Sequence, residues 1–509
     1  MVVFRVDPTE SGPDESRLCH DSFRRAKEAR RRQAPSSPDG GEERALWLVN
    51  VALVAPISAG GASAAAGGDR ARASVRLRAG RIEAVVGPDD GPSPSDGGPE
   101  EEGAAAAAVV LDCAGLLLLP GLMDAHVHVT AVIADLTALR ALPPSLVAAR
   151  AGPILNGMIA RGFTTVRDAG GADWGLAAAL EEGSILGPRL LISGRALSQT
   201  GGHGDMRARG AEALEPGGGC PCACACAAGI GRVCDGADAV RLAAREELRL
   251  GAHWIKLMAS GGVSSPTDAL EQPQFSEGEL RAACDEARRR GAYAGAHAYT
   301  PASISRAVAA GVRSIEHGNY LDAACAAQMA RAGAFLVPTL VTYDALVSQG
   351  AASGFPAALV DKARGVAGAG ARSLALAREA GVRVCYGSDL LGPMHAQQSR
   401  EFELRLEGGC SAREVLEQAT ANCAALFYGG GGGGGAGDDL PEGAPGRIAA
   451  GAAADLILVA ADPTLPHAPL RALAAPDGAG VALVVKDGIV AKAPRASVGD
   501  SINRALFAC

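Results

Sequence analysis

Four of the nine histidines in the chain fall where short apolar runs end. His126 and His128 close the run LLLLPGLMDAHVHV (116–129), His297 sits in YAGAHAY (293–299) and His317 in VRSIEHG (312–318). Lys256 lies in WIKLMASG (254–261), and Asp389 ends VRVCYGSD (382–389). Two residues apart on a strand, His126 and His128 project from one face. Neutral imidazoles with a carboxylate suit zinc and similar divalent metals. A lysine ammonium has no lone pair to give. Its neutral amine can join such a set by capturing carbon dioxide as a carbamate, which offers one anionic oxygen to each of two metals. That bridge would hold the ions roughly 3.5–4 Å apart, and a hydroxide shared between them is nucleophilic near neutral pH because metals lower the pKa of water from about 15.7 to about 7. The sequence does not reveal carbamylation. Any one of these residues alone reads more readily as structural; together, at strand ends, they point to a metal site.

Such residues converge only if a frame brings the strand ends to one rim. Three further apolar runs, FTTVRDAG (163–170), RLLISGRAL (189–197) and FLVPTLVTY (335–343), raise the strand candidates to the eight that a closed barrel needs. Ala-rich helical stretches alternate with them, which predicts an α/β architecture: a (β/α)₈ TIM-type barrel over 116–428, with its active site at the C-terminal strand ends. Ser276 with Glu279 and Ser411 with Glu414 are spaced as capping boxes at helix starts. Strand-like segments also bracket the barrel. SVRLRAGRIEAVVG (74–87) reads as a hairpin turning at Ala79-Gly80, and GRIAAGAAADLILVA (446–460) and VALVVKDGIVAK (481–492) return to β alternation. The flanks 44–115 and 441–495 are therefore expected to form one small composite β-sandwich. Residues 1–43 are polar, charged and Pro-rich, and read as disordered, with a basic stretch at 23–33 suited to a solvated helix. Stretches 88–108, 214–236 and 429–437 read as low-complexity inserts.

Composition narrows the partners. The formal net charge of −8 argues against a nucleic-acid binder. No run approaches the roughly 18 apolar residues of a membrane span, and the acidic start of the chain lacks the apolar core of a secretory signal, so a cytoplasmic location is expected. The spacing of the 13 cysteines supports no disulfide framework. Cys113, Cys284, Cys325, Cys385 and Cys423 lie in apolar or helical contexts and read as buried free thiols. Cys220, Cys222, Cys224 and Cys226 have thiolate-site spacing, but their Gly/Ala-rich surroundings favour low complexity.

The motifs PGLMDAHVH, WIKLMASGGV, GAHAYT, SIEHGN and YGSDLLGPMH resemble those of the amidohydrolase superfamily. TTVRDAGG (164–171), SQTGGHGD (198–205) and the stretch around Asp389, with His395, resemble its branch of Xaa-Pro dipeptidases and ochratoxinase-like enzymes. By that resemblance His126, His128 and Asp389 hold one divalent metal, His297 and His317 hold a second, and carbamylated Lys256 bridges two ions of zinc type. Asp389 is then general base and acid in hydrolysis of the amide bond of a dipeptide or N-acyl amino acid. His203 and Tyr299 are the expected substrate contacts, and Arg167 with Asp168 the expected structural ion pair. The partner implied is a small-molecule amide; a homo-oligomer stays open. Two other readings compete: cyclic-amide or imidazolone hydrolysis, against which Lys256 argues, and a catalytically inactive barrel, against which the full ligand set argues.

Overall fold

The computed structural model describes residues 2–6, 18–32, 44–53, 72–92, 108–207, 229–429, 440–460 and 467–507. Its fold is mixed α/β. The eight strands of the central unit are Leu122–Val127, Phe163–Asp168, Arg189–Ile192, Ile255–Met258, Ala294–Ala298, Ser314–His317, Phe335–Val337 and Arg383–Val384. The first three pair in parallel in chain order, and the last five continue in a second parallel sheet. A backbone bond from Ala125 N–H to Tyr386 C=O (2.8 Å) ties the first strand to the segment after the eighth, and one from His253 N–H to Ile192 C=O (2.8 Å) ties the third to the approach of the fourth. Helices follow most strands, among them Pro144–Ala160, Trp174–Glu182, Glu277–Arg289 and Pro301–Ala310. They cover the sheets, so the strands between them are almost wholly buried, as parallel sheets require. Register sets the rim: Met258 lies opposite His297, and Ala298 opposite His317.

Two expected strands are in fact divided. The run 116–129 breaks at Gly121: Leu116–Pro120 pairs antiparallel with Leu456–Ala460, whereas Leu122–Val127 joins the central unit. A Cβ at Gly121 would lie 2.1 Å from Thr164 Oγ1, so only glycine lets the chain pass there. The run 189–197 breaks at Gly194, whose φ of 66° is left-handed. Its second part, Ala196–Ser198, pairs in parallel with Gly231–Val233. The end of the expected insert 214–236 is thus part of the sheet, anchored by buried Ile230. Residues 208–228, with Cys220, Cys222, Cys224 and Cys226, lie outside the described residues, as do 93–107 and 430–437 of the other inserts.

Strands from both flanks, with Val2–Arg5, belong to one hydrogen-bonded array of nine strands among the described residues. Leu46–Leu53 and Val109–Asp112 come from one flank, Val481–Lys486 and Ile489–Lys492 from the other. The hairpin Arg72–Arg78/Arg81–Val86 turns through Ala79 and Gly80, both at positive φ (50° and 76°). Both capping boxes form. Cys113, Cys234, Cys284, Cys325, Cys385, Cys410 and Cys423 are buried and free, and Cys19 is buried. Among the described residues no helix is long and apolar enough to cross a membrane.

The expectation of disorder for 1–43 fails where that segment is described. Val2–Arg5 pairs with Val109–Asp112, and His20–Arg32 is helical. Although strongly basic, this helix buries Phe23 (1% exposed) and Ala26 on one face, packed against the helix Ala496–Leu506 and the strand Ile489–Lys492. Its apolar residues are few, but they fall one turn apart, which a composition average hides. Phe23→Ala should therefore cost about 3–5 kcal/mol, the usual range for a buried phenylalanine, read from chemical denaturation. A midpoint equal to wild type would show that the helix does not dock.

Candidate active site

The rim of the central unit collects buried polar side chains. His126, His128 and Asp389 bring three ligand atoms within 4.8 Å of one another, a grouping that can hold a metal ion. His126 Nε2 and His128 Nε2 lie 3.5 and 3.4 Å from Asp389 Oδ1, and His317 Nδ1 lies 3.9 Å from Oδ2. The His317 ring is 4.7 Å from that of His297 and 4.9 Å from that of His126. Lys256 is buried (1% exposed) in the same electrostatic neighbourhood. His203 stacks on His297 at 4.2 Å, and Tyr299 stacks on His317 at 5.5 Å. His126, His128, His203, His297, Tyr299, His317 and Asp389 are thus brought together, with Lys256 buried within electrostatic reach of Asp389.

Each of the four clustered imidazoles has one nitrogen committed outward. His126 Nδ1 meets Glu316 Oε2 at 2.9 Å, His128 Nδ1 meets the Gly170 carbonyl at 2.9 Å, and His297 Nε2 meets the Gly261 carbonyl at 3.0 Å. His317 Nδ1 meets Thr339 Oγ1 at 2.8 Å. A carbonyl or carboxylate can only accept, so each of the first three rings donates its N–H there and keeps a lone pair on the other nitrogen. Burial also pushes all four pKa values down, that of His128 to about 3. Burial thus favours the neutral form of all four rings, and the tautomers of His126, His128 and His297 are fixed by their acceptors, as suits metal ligands. This donor set fits divalent metals.

The same low dielectric acts on the other groups. Burial lowers the Lys256 ammonium to about 8, although Glu316 and Asp389 pull the other way. Burial raises Asp389 to about 7, against the pull of Lys256. Asp389 keeps 20% side-chain exposure, so it faces accessible space. Asp389 and His317 both adopt left-handed backbone (φ 52° and 70°), unusual for residues with side chains.

Several contributors were not evident in the sequence. Glu316 precedes His317 and receives the N–H of His126 and the guanidinium of Arg167 (2.7 Å). A carboxylate inside an apolar strand, next to a candidate ligand, was the available signal. The expected Arg167–Asp168 pair does not form, because neighbours on a strand face opposite ways. Arg167 turns to Glu316 and stacks on Trp254 at 4.0 Å; Asp168 accepts the backbone N–H groups of Val129, Gly170 and Ala172. Asp124 accepts from His126 N and Ser388 N, and from Ser388 Oγ and Gln398 Nε2, so it braces both ligand-bearing segments. His395, buried, meets the Ala131 carbonyl at 3.3 Å and links the loops after the first and last strands. Tyr299 Oη shares a 2.7 Å bond with Tyr343 Oη.

The amidohydrolase family profile matches residues 117–491, about three quarters of the chain. The chain belongs to the amidohydrolase family. Within the family it stands with the dipeptidase and ochratoxinase-like branch. It is 33% identical to the ochratoxinase of Aspergillus niger over 314 residues, which cover 60% of this chain and 64% of that enzyme. The solved structure of a prolidase complexed with N-methylphosphonate-L-proline shares 42% identity and a TM-score of 0.74, covering 88% of this chain and 100% of the other. The structure of A. niger ochratoxinase shares 27% identity and a TM-score of 0.70, covering 89% and 97%. The family is generally metal-dependent, and the cluster of His126, His128 and Asp389 accords with that.

The outward hydrogen bonds can be tested singly. Glu316→Gln weakens the acceptor for His126 and leaves Arg167 a neutral partner. Metal retention, measured by competition with a chelator, should fall about 10- to 100-fold, the usual effect of losing a group that orients a ligand. Retention equal to wild type would detach Glu316 from the site.

Proposed function

We propose that this protein is a metal-dependent hydrolase of a carbon–nitrogen amide bond, acting on a dipeptide or an N-acyl amino acid, with a (β/α)₈ barrel as its frame. The observation that carries the reading is the set of buried, neutral imidazoles whose spare nitrogens are aimed by outward hydrogen bonds. His126, His128 and Asp389 would hold one ion and His297 and His317 another, with Lys256 as a carbamate bridging them. The low pKa of Lys256 supports this last role, since only the neutral amine captures carbon dioxide. When bound, two divalent ions, zinc by donor type, would lower the pKa of water and polarise the scissile carbonyl.

The protein's own groups do the rest. Asp389 accepts the proton of the attacking water and returns it to the leaving nitrogen, as general base and then acid. Tyr299 and His203 lie against His317 and His297, and on this reading they contact the remainder of the substrate. Tyr299 keeps its hydroxyl hydrogen for a substrate when Tyr343 donates to it. His203 Nδ1 lies 2.7 Å from Ser265 Oγ, whose hydrogen goes to Asp268, so Nδ1 is the protonated nitrogen and Nε2 is left for substrate. As a neutral ring it accepts there. As an imidazolium it donates, and although burial holds its pKa to about 4, Asp268 and a bound carboxylate both favour that form. A carboxylate on the leaving amine would gain charge-assisted hydrogen bonds and hold the scissile carbonyl in place. The dipeptidase and ochratoxinase relatives support this substrate class by their names.

Purified protein should carry about two divalent ions per chain by elemental analysis, and should hydrolyse members of a panel of Xaa-Pro dipeptides and N-acyl amino acids. One ion or none, with no turnover across the panel, would overturn the reading. Asp389→Asn should lower kcat at least about 10²-fold, in line with losses of general acid–base groups. Wild-type turnover by that variant would remove Asp389 from proton transfer. Masking the substrate carboxylate as a methyl ester should lower kcat/KM about 10-fold, or about 1.4 kcal/mol. His203→Ala should cost a similar factor on the acid and little more on the ester. Equal turnover of acid and ester by wild type would shift the reading toward cyclic or neutral amides.

A further inference from the structure

Lys362 lies on the helix Ala357–Val366, on none of the eight central strands. Its ammonium nevertheless reaches three backbone carbonyls of one turn: Gly262 at 2.8 Å, Ser265 at 3.0 Å and Asp268 at 2.9 Å. An ammonium has three hydrogens, so its donor capacity is filled by that turn alone. Asp268 Oδ1, 3.5 Å away, adds charge attraction.

This turn follows the fourth strand and has no helix or ladder of its own to fix its shape over Gly261–Asp268. A closed ring of side-chain bonds joins it to His203. The His203 ring donates to Ser265 Oγ, and Ser265 donates to Asp268. Asp268 Oδ2 accepts from Gln274 Nε2 at 3.0 Å, and Gln274 Oε1 accepts the His203 backbone N–H at 2.8 Å. The turn also presses directly on the ring: a Cβ at Gly262 would fall 2.1 Å from His203 Cε1. By contrast, Gly261, whose carbonyl holds His297, is itself tied by its N–H to Gln272. The part pinned by Lys362 is therefore the part that grips His203.

We propose that Lys362 is a positioning residue for substrate recognition: it pins the turn 262–268 so that Ser265 and Asp268 hold His203 in its working orientation. The proposal rests on the reading of His203 as a substrate contact. It predicts that charge alone is insufficient, because a planar guanidinium cannot address three carbonyls as a tetrahedral ammonium does.

The test compares zinc-loaded full-length wild type with Lys362→Met and Lys362→Arg. Backbone amides over 260–275 should exchange with deuterium at least about 10-fold faster in both variants, while those over 294–298 keep their wild-type rate and the zinc content is unchanged. Wild-type exchange at 260–275 would overturn the proposal, as would faster exchange spread equally through both segments. On a free-acid member of the panel, Lys362→Met should raise KM about 10-fold with kcat within about threefold, and in the His203→Ala background it should add less than about twofold. An undiminished effect in that background would show that Lys362 does not act through His203. Should wild type hydrolyse nothing in the panel, the proposed reaction fails, and the exchange comparison still decides the clamp.

Discussion

A buried histidine can present a lone pair inward only if its other nitrogen has somewhere to put a hydrogen. The rest of the site follows from that constraint. Four rings need four outward partners, and these come from four different places: Glu316 on the sixth strand, the Gly170 and Gly261 carbonyls on loops after the second and fourth, and Thr339 after the seventh. The Glu316 charge must in turn be balanced, which explains a fully buried arginine. Arg167 pairs with Glu316, bonds the Ala125 carbonyl at 2.7 Å and lies over the Trp254 ring. Leaving any of these groups unpaired in a dry interior would cost about 1–3 kcal/mol, more for the charged ones.

Much of this was legible because strand ends announce themselves. Short apolar runs that stop at His, Lys or Asp mark both an element and the side chain it delivers, and His126, His128, Lys256, His297, His317 and Asp389 were found that way. What stayed hidden has no local pattern. The partner of Arg167 depends on which side of a strand each residue faces, and the sequence neighbour Asp168 was the wrong guess. The break at Gly121 is dictated by Thr164, a residue on another strand. The helix His20–Arg32 looked solvated because its charges outnumber its apolar residues, while Phe23 and Ala26 are the ones that touch the core. Ser265 and Asp268 belong to no motif, and nothing near Lys362 in sequence refers to the turn it grips.

The left-handed backbone at His317 and Asp389 belongs with these hidden features. Each such residue costs of order 1–3 kcal/mol and persists only where its surroundings over-determine it. At Asp389 the surroundings are plain. Its N–H and that of Ser388 both reach the His126 carbonyl, at 2.8 and 3.2 Å, while Asp124 takes the Ser388 side chain. The first and last central strands are thereby joined at the point where the carboxylate turns toward the histidines.

The pairing of Leu116–Pro120 with Leu456–Ala460 has a consequence for how the molecule comes into being. The leucine-rich strand leaves the ribosome early, and its neighbour arrives only after the whole central unit has been made. Closing so long a loop is entropically slow, and until it closes the strand has one unpaired edge. An apolar edge of that kind is a template for pairing with other nascent chains. The central unit lies between the two partners in sequence, so this strand pair cannot close before that unit has been synthesised.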